Sequence, residues 1–227
     1  MHRRLFAAGL VAVAIISGAG SAAGISATGA VQVTNDPAPL RSHSSPQIAV
    51  NPKTGELVVV ESDVRGNRAC AVHISTDRGR SWFAGGDPMT KPFNDCGFYA
   101  EYGPLAHMAF AGDGTLYMTF VASDFLNRVR NSTPRHVFLA RSSDSGRTFT
   151  TTKVFDAPDG NQDRGLNKGA LVAIDPTNPQ RVYVGWRQGV FAADAKEKLK
   201  SVVAASSDGG RSFGGPVDLS DDRGADF

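Results

Sequence analysis

Three carboxylates in this sequence stand at repeated positions, which makes them the first candidates for chemistry. Asp77, Asp144 and Asp208 lie inside eight-residue segments, Ser75 to Trp82, Ser142 to Phe149 and Ser206 to Phe213, that all read S-x-D-x-G-R-[ST]-[WF]. The segments start 67 and then 64 positions apart. A carboxylate can serve as a general acid or base, but this pattern is better explained by a turn. The Asp accepts hydrogen bonds from N–H groups of its own turn. The glycine takes a positive φ without a Cβ clash. The aromatic ring packs back onto its sheet, a burial worth about 2–3 kcal/mol. Ser75, Asp77, Gly79, Trp82, Ser142, Asp144, Gly146, Phe149, Ser206, Asp208, Gly210 and Phe213 are therefore read as structural. Other chemical signals are thin. His43, His73, His107 and His136 lack metal-ligand spacing, and His73 and His107 fall in strands as packing residues. The run Asp159 to Asp163 resembles a calcium loop but has no downstream Glu at the required spacing. There is no phosphate-binding glycine loop. We expect no metal and no cofactor.

Each repeated segment needs a scaffold, and its flanks repeat as well. About 30 residues before it comes a short apolar strand: Ile48 to Val50, Met108 to Phe110, Val172 to Ile174. A turn follows, and then a second strand: Leu57 to Val60, Leu116 to Phe120, Val182 to Trp186. A third strand enters the segment from Cys70, Val137 or Val202, and a fourth leaves it around Phe83, Thr150 to Phe155, and Val217 to Leu219. Each unit is thus a four-stranded antiparallel meander of about 65 residues, the sequence form of a propeller blade. A β-sandwich would not explain why one hairpin recurs in register. The expected fold is all-β, a β-propeller with about three blades present.

The ends and the composition set the context. Met1 to Arg4 is basic, Leu5 to Ile16 is apolar, and Ser17 to Ala30 is rich in small residues, the order of a secretory signal peptide. The apolar run is shorter than the roughly 20 residues that a membrane helix needs. Residues 1–30 are read as a signal cleaved near Ala23 or Ala30, and 31–227 as the propeller. Arg3-Arg4-Leu5-Phe6 resembles a twin-arginine core, but an ordinary Sec signal is the preferred reading. The protein is expected to be secreted or extracytoplasmic, with no membrane anchor. Of 24 Lys and Arg, Arg3 and Arg4 belong to the signal, which leaves 24 − 2 = 22 against 22 Asp and Glu. A neutral chain has no basic excess to attract nucleic acid. The two cysteines, Cys70 and Cys96, form an even pair, which for an exported chain favours a disulfide over two separate buried thiols. Its loop of about 25 residues is worth about 3 kcal/mol.

The three repeated segments resemble the Asp-box (BNR) repeats of the sialidase-like superfamily, over about Asp36 to Leu219. The resemblance implies a six-bladed ring when closed, with the boxes on the rim away from the active site. It implies glycan engagement with glycoside hydrolysis, and, because non-enzymatic propellers carry the same boxes, the alternative of a binding module for a protein or cell-wall partner. A sialidase would use three arginines on the substrate carboxylate, an acid/base Asp, and a Tyr–Glu nucleophile pair. The family's first arginine opens an Arg-Ile-Pro motif, but this chain has Ser44-Ser45-Pro46. Arg41 could replace that arginine only through a register shift. Asp63 is the only Asp in the loop that carries the acid/base, and the remaining elements would lie beyond Phe227. The rim opposite the boxes then gathers segments 61–68, 87–103, 123–135, 156–168 and 187–200. Arg65, Arg68, Tyr99, Glu101, Tyr102, Arg164 and Arg187 are the ligand-binding candidates there, with Arg128, Arg130 and Asp163 nearby. Flat aromatic faces and arginine forks suit sugars and acids. Both cysteines map to this same rim. Three blades leave two blade faces uncovered, so further blades or a second chain would be needed to close the ring.

Overall fold

The structure, a computed structural model, describes residues 29–34, 43–63, 69–89, 106–123, 135–156, 168–191 and 197–219. The chain divides after Ala30 into two units, and the fold is that of the second. Its strands form three four-stranded antiparallel sheets in chain order. Blade 1 contains β1 (His43–Val50), β2 (Leu57–Asp63), β3 (Ala69–Ser75) and β4 (Phe83–Ala84). Blade 2 contains β5 (Ala106–Phe110), β6 (Leu116–Ser123), β7 (Arg135–Ser142) and β8 (Thr150–Phe155). Blade 3 contains β9 (Lys168–Ile174), β10 (Val182–Phe191), β11 (Glu197–Ser206) and β12 (Val217–Asp218). No helix occurs among the described residues. This is the architecture of a partial β-propeller.

Strand alternation explains the stacking. Along β6, Leu116, Met118 and Phe120 point into a core shared with Val58, Val60 and Val72 of blade 1. Tyr117 and Val121 point the other way, into a core shared with Val172, Val184 and Trp186 of blade 3. Because side chains alternate with period two, a strand flanked by blades on both sides is apolar on both faces, and from Leu116 to Ala122 β6 departs from this only at Thr119, whose buried hydroxyl donates to the Ala170 carbonyl of blade 3 at 2.9 Å. Phe120 and Phe138 stack with their ring centroids 5.5 Å apart.

The strands run longer than the apolar cores predict. Asp63 ends β2, opposite His43 and Ala69. Arg187 sits within β10, opposite Ser201 and Lys168, and is exposed. Both residues are expected in loops from sequence, but the polar ends of these hairpins continue the ladder, because backbone pairing does not require an apolar side chain. β11 likewise begins at Glu197, inside the segment 187–200 that is expected as a loop.

The repeated segment folds into one turn three times. The Ser hydroxyl donates to Asp Oδ1 at 2.8, 2.7 and 2.7 Å in blades 1, 2 and 3. The same hydroxyl accepts from the Gly N–H at 2.8, 2.7 and 2.8 Å. Asp Oδ1 also accepts from two backbone N–H groups, such as Arg80 and Ser81 at 2.9 Å each. Oδ2 accepts from the next hydroxyl, Ser81, Thr148 or Ser212, at 2.6–2.7 Å. These bonds, led by the Ser81 hydroxyl, hold the Asp77 carboxyl down at about 2, and Asp208 is lowered in the same way, led by Ser212. Burial pushes Asp144 up, but bonds from Ser142 and Thr148 outweigh it and leave it lowered. Gly79, Gly146 and Gly210 have φ of 85°, 88° and 78°, and the residues before them, Arg78, Ser145 and Gly209, are also positive at 63°, 57° and 70°.

Each box after the first also serves as a joint, because it docks on the preceding blade. Asn51 Nδ2 of blade 1 donates to Ser145 Oγ at 2.8 Å in a buried bond, and Arg147 donates to Glu56 at 2.7 Å. Between blades 2 and 3, the Gly209 carbonyl accepts from Arg141 at 3.2 Å and from Tyr117 at 3.4 Å. Nearer the first strands, Gln47 Oε1 of blade 1 accepts from Met108 N of blade 2 at 3.3 Å. His107 Nδ1, at the matching place in blade 2, accepts from Val172 N of blade 3 at 3.2 Å. The matching residue in blade 3 is Leu171, which is 49 % exposed.

Candidate functional site

The blade ends opposite the boxes carry two histidine–carboxylate groups. In blade 1, strand alternation puts Glu61 and Asp63 on one face of β2, with their Cα atoms about 7 Å apart. Glu61 is buried at 6 % exposure, and its Oε1 meets His73 Nε2 and His43 Nδ1, each at 2.9 Å. The histidines come from the strands on either side, β3 and β1. The His73 hydrogen bond fixes the direction of the carboxylate. Asp63 is half-buried at the end of the same strand. In blade 2, the buried His136 places Nδ1 2.7 Å from Asp156, which Lys153 also contacts at 2.9 Å. The Lys153 bond holds the Asp156 carboxyl below the usual range. The blade 1 group lies on the first three strands of its blade, whereas the blade 2 group lies on the last two. Among the described residues no cluster has the make-up of a metal site.

Of the residues named from sequence, Asp63 and Arg187 are described, and the structure does not bring them together. Asp63 ends the second strand of blade 1, and Arg187 sits midway along the second strand of blade 3. Arg41, Arg65, Arg68, Tyr99, Glu101, Tyr102, Arg164, Arg128, Arg130 and Asp163 lie outside the described residues, as does Cys96. Cys70 is buried at 4 % exposure and is not a free thiol. Ser44 pairs with Ser62 and Gln47 with Val60. Three steps on β1 therefore match two on β2, which is a one-residue bulge around Pro46, where a proline is tolerated. This is less than the three residues that would put Arg41 in Ser44's place. Sequence reasoning missed Glu61 and its two histidines. The available signal was Glu61 standing two residues before Asp63 in a strand whose neighbours both carry histidine.

No family model matches the chain, and no curated protein matches it in sequence. Solved structures do resemble it. A protein of unknown function from Dyadobacter fermentans superposes at a TM-score of 0.55 with 19 % identity, over 81 % of this chain and 52 % of that one. An α-L-arabinanase from Penicillium chrysogenum, in complex with arabinobiose, gives 0.55 and 14 %, over 79 % and 50 %. A GH93 α-L-arabinofuranosidase from Fusarium graminearum gives 0.53 and 10 %, over 78 % and 48 %. The chain thus spans about half the length of each, and at these identities the likeness is one of fold.

Proposed function

We propose that this chain supplies three blades of an exported, Asp-box, sialidase-like propeller that engages glycans on the rim opposite its boxes. The observation that carries the reading is the buried Glu61 carboxylate bonded to His73, with Asp63 two residues further on at the blade end. The glycoside hydrolases among its structural neighbours support a carbohydrate ligand. Asp63 is the residue positioned to reach a ligand, and Glu61 with its histidines orients that end of the blade. The signal at 1–30, cleaved near Ala23 or Ala30, and a Cys70–Cys96 bridge at the same rim belong to this reading, as do further blades or a second chain that complete the ring. The test is turnover of an aryl sialoside and an aryl arabinofuranoside by the native secreted protein. Asp63→Asn should lower the active one about 100-fold or more, and equal rates in the variant would overturn the assignment. Ser44 at the family's first arginine position favours the second reading, a non-catalytic module. Saturable glycan or cell-wall binding without turnover would select it.

A further inference from the structure

A second site stands at the other rim, where the box of blade 3 meets blade 2, and it arises from how the two joints differ. In the joint between blades 1 and 2, the box arginine Arg147 is tied to Glu56. The cross-strand pair beneath is Val58 and Ile74, both fully buried. In the joint between blades 2 and 3 the corresponding residues are Thr115 in place of Glu56, and Tyr117 paired with Arg141 in place of Val58 and Ile74. The carboxylate is gone and a guanidinium has been added. Arg141 and Arg211 therefore share one joint, and neither forms an ion pair among the described residues. Arg141 uses Nη1 on the Gly209 carbonyl and Arg211 uses Nη1 on the Asp208 carbonyl at 2.6 Å, so each still has two guanidinium nitrogens to offer. The apolar filling is gone as well, and an open groove of about 280 Å³ remains, lined by Asp113, Tyr117, Arg141, Ser143, Gln180 and Arg211 among others. The one carboxylate here, Asp113, already accepts from Thr115 N at 2.9 Å. At the floor is Gly209, where a Cβ would lie 3.1 Å from Gln180 Oε1, 3.3 Å from Arg211 Nη1 and 3.5 Å from Tyr117 Oη. Polar groups from both blades therefore converge where the chain has no side chain.

We propose that this groove is a binding site for a small oxyanion ligand, either the carboxylate of an acidic monosaccharide or a sulfate group. Two guanidiniums with unused nitrogens match the paired oxygens of either group. Ser143 and Gln180 can hold the hydroxyls of a sugar carrier. The volume is slightly below the roughly 300–1,000 Å³ of common small-molecule sites, so it admits one sugar residue. The site is independent of the glycan reading above, because it lies on the box rim.

Calorimetric titration of the full chain with sodium sulfate, with sodium glucuronate, and with neutral glucose as control tests this. At least one anion should bind saturably at one site per chain, and glucose should not. Equal affinity for the anions assigns the site to the bare oxyanion, and preference for glucuronate assigns it to the sugar acid. Arg141→Ile, which copies blade 1, should weaken binding about tenfold or more, since it removes a charge-assisted fork. Arg141→Lys should recover part of the loss. If Arg141→Ile does not fold, Arg211→Gln on the exposed side carries the same expectation. No saturable binding of either anion, or unchanged affinity in the folded variants, overturns the proposal.

Discussion

The two blade joints solve one geometric problem with different chemistry. Both place the positive-φ pair of a box against the preceding blade, and both satisfy an N–H of the next blade's first strand with a side-chain acceptor. Between blades 1 and 2 the acceptor is the Gln47 amide, and the box is held by Asn51 and Glu56. Between blades 2 and 3 the acceptor is the His107 imidazole, and the box is held through its Gly209 carbonyl. The backbone arrangement is what the repeat conserves within this chain. The side chains that serve it are interchangeable as long as an acceptor meets a donor.

The contrast can be broken hardest at the glycines. A Cβ on Gly210 would lie 2.5 Å from Leu139 Cδ2, whereas on Gly146 it would lie 3.2 Å from Val72 Cγ1. Both also have positive φ. Gly210→Ala should cost about 3–4 kcal/mol, strain plus overpacking, and Gly146→Ala about 1–2 kcal/mol less. Urea melts of the two variants compare them directly, and equal losses would mean that the second joint yields more easily than its packing indicates.

Next in size is Asn51→Ala, which removes a buried bond to Ser145 and the Oδ1 acceptor for Lys53 N. A loss of about 1–3 kcal/mol is expected. His107 separates the joints by pH. Burial lowers its folded pKa below the usual 6.5, so the unfolded chain takes up the proton first and stability falls with falling pH. The contribution is complete above about 6.5 and declines below it. About 1 kcal/mol should be lost toward pH 5, one neutral hydrogen bond, and His107→Gln, which installs the other joint's acceptor, should flatten that slope in thermal melts. The smallest effect belongs to Glu56→Gln. Arg147 holds Glu56 below the usual carboxylate range, but the pair lies at the surface, and about 0.5 kcal/mol that vanishes in high salt is expected.

The boxes and the meander were legible in sequence because they rest on local rules. Asp77 caps its own turn, Gly79 takes its own φ, and Leu116 to Phe120 alternates within one strand. The joints were not legible, because Ser145 meets Asn51 across 94 positions and nothing local marks either as a partner. The same holds for Glu61, whose meaning depends on histidines in two other strands. Asp63 and Arg187 were misplaced into loops for the opposite reason: polar residues beyond the apolar part of a strand look like turns unless the ladder itself is seen.

The joints pair unlike surfaces, and this gives the stack a direction. One side offers a box and a backbone donor, and the other offers an acceptor and a sheet face. On the outer side of blade 3 the acceptor position is Leu171, 49 % exposed, with Tyr183 at 38 % beside it, and the first strand of blade 1 shows Ile48 at 63 %. Joined in the manner of the two joints, such surfaces make a head-to-tail contact rather than a two-fold one. Each union adds in the same sense, as subunits do in a filament, and it ends only where the accumulated rotation returns to its start. The number of blades is therefore a question of angle per joint, and overpacking a single glycine against Leu139 would change the pitch of the whole turn.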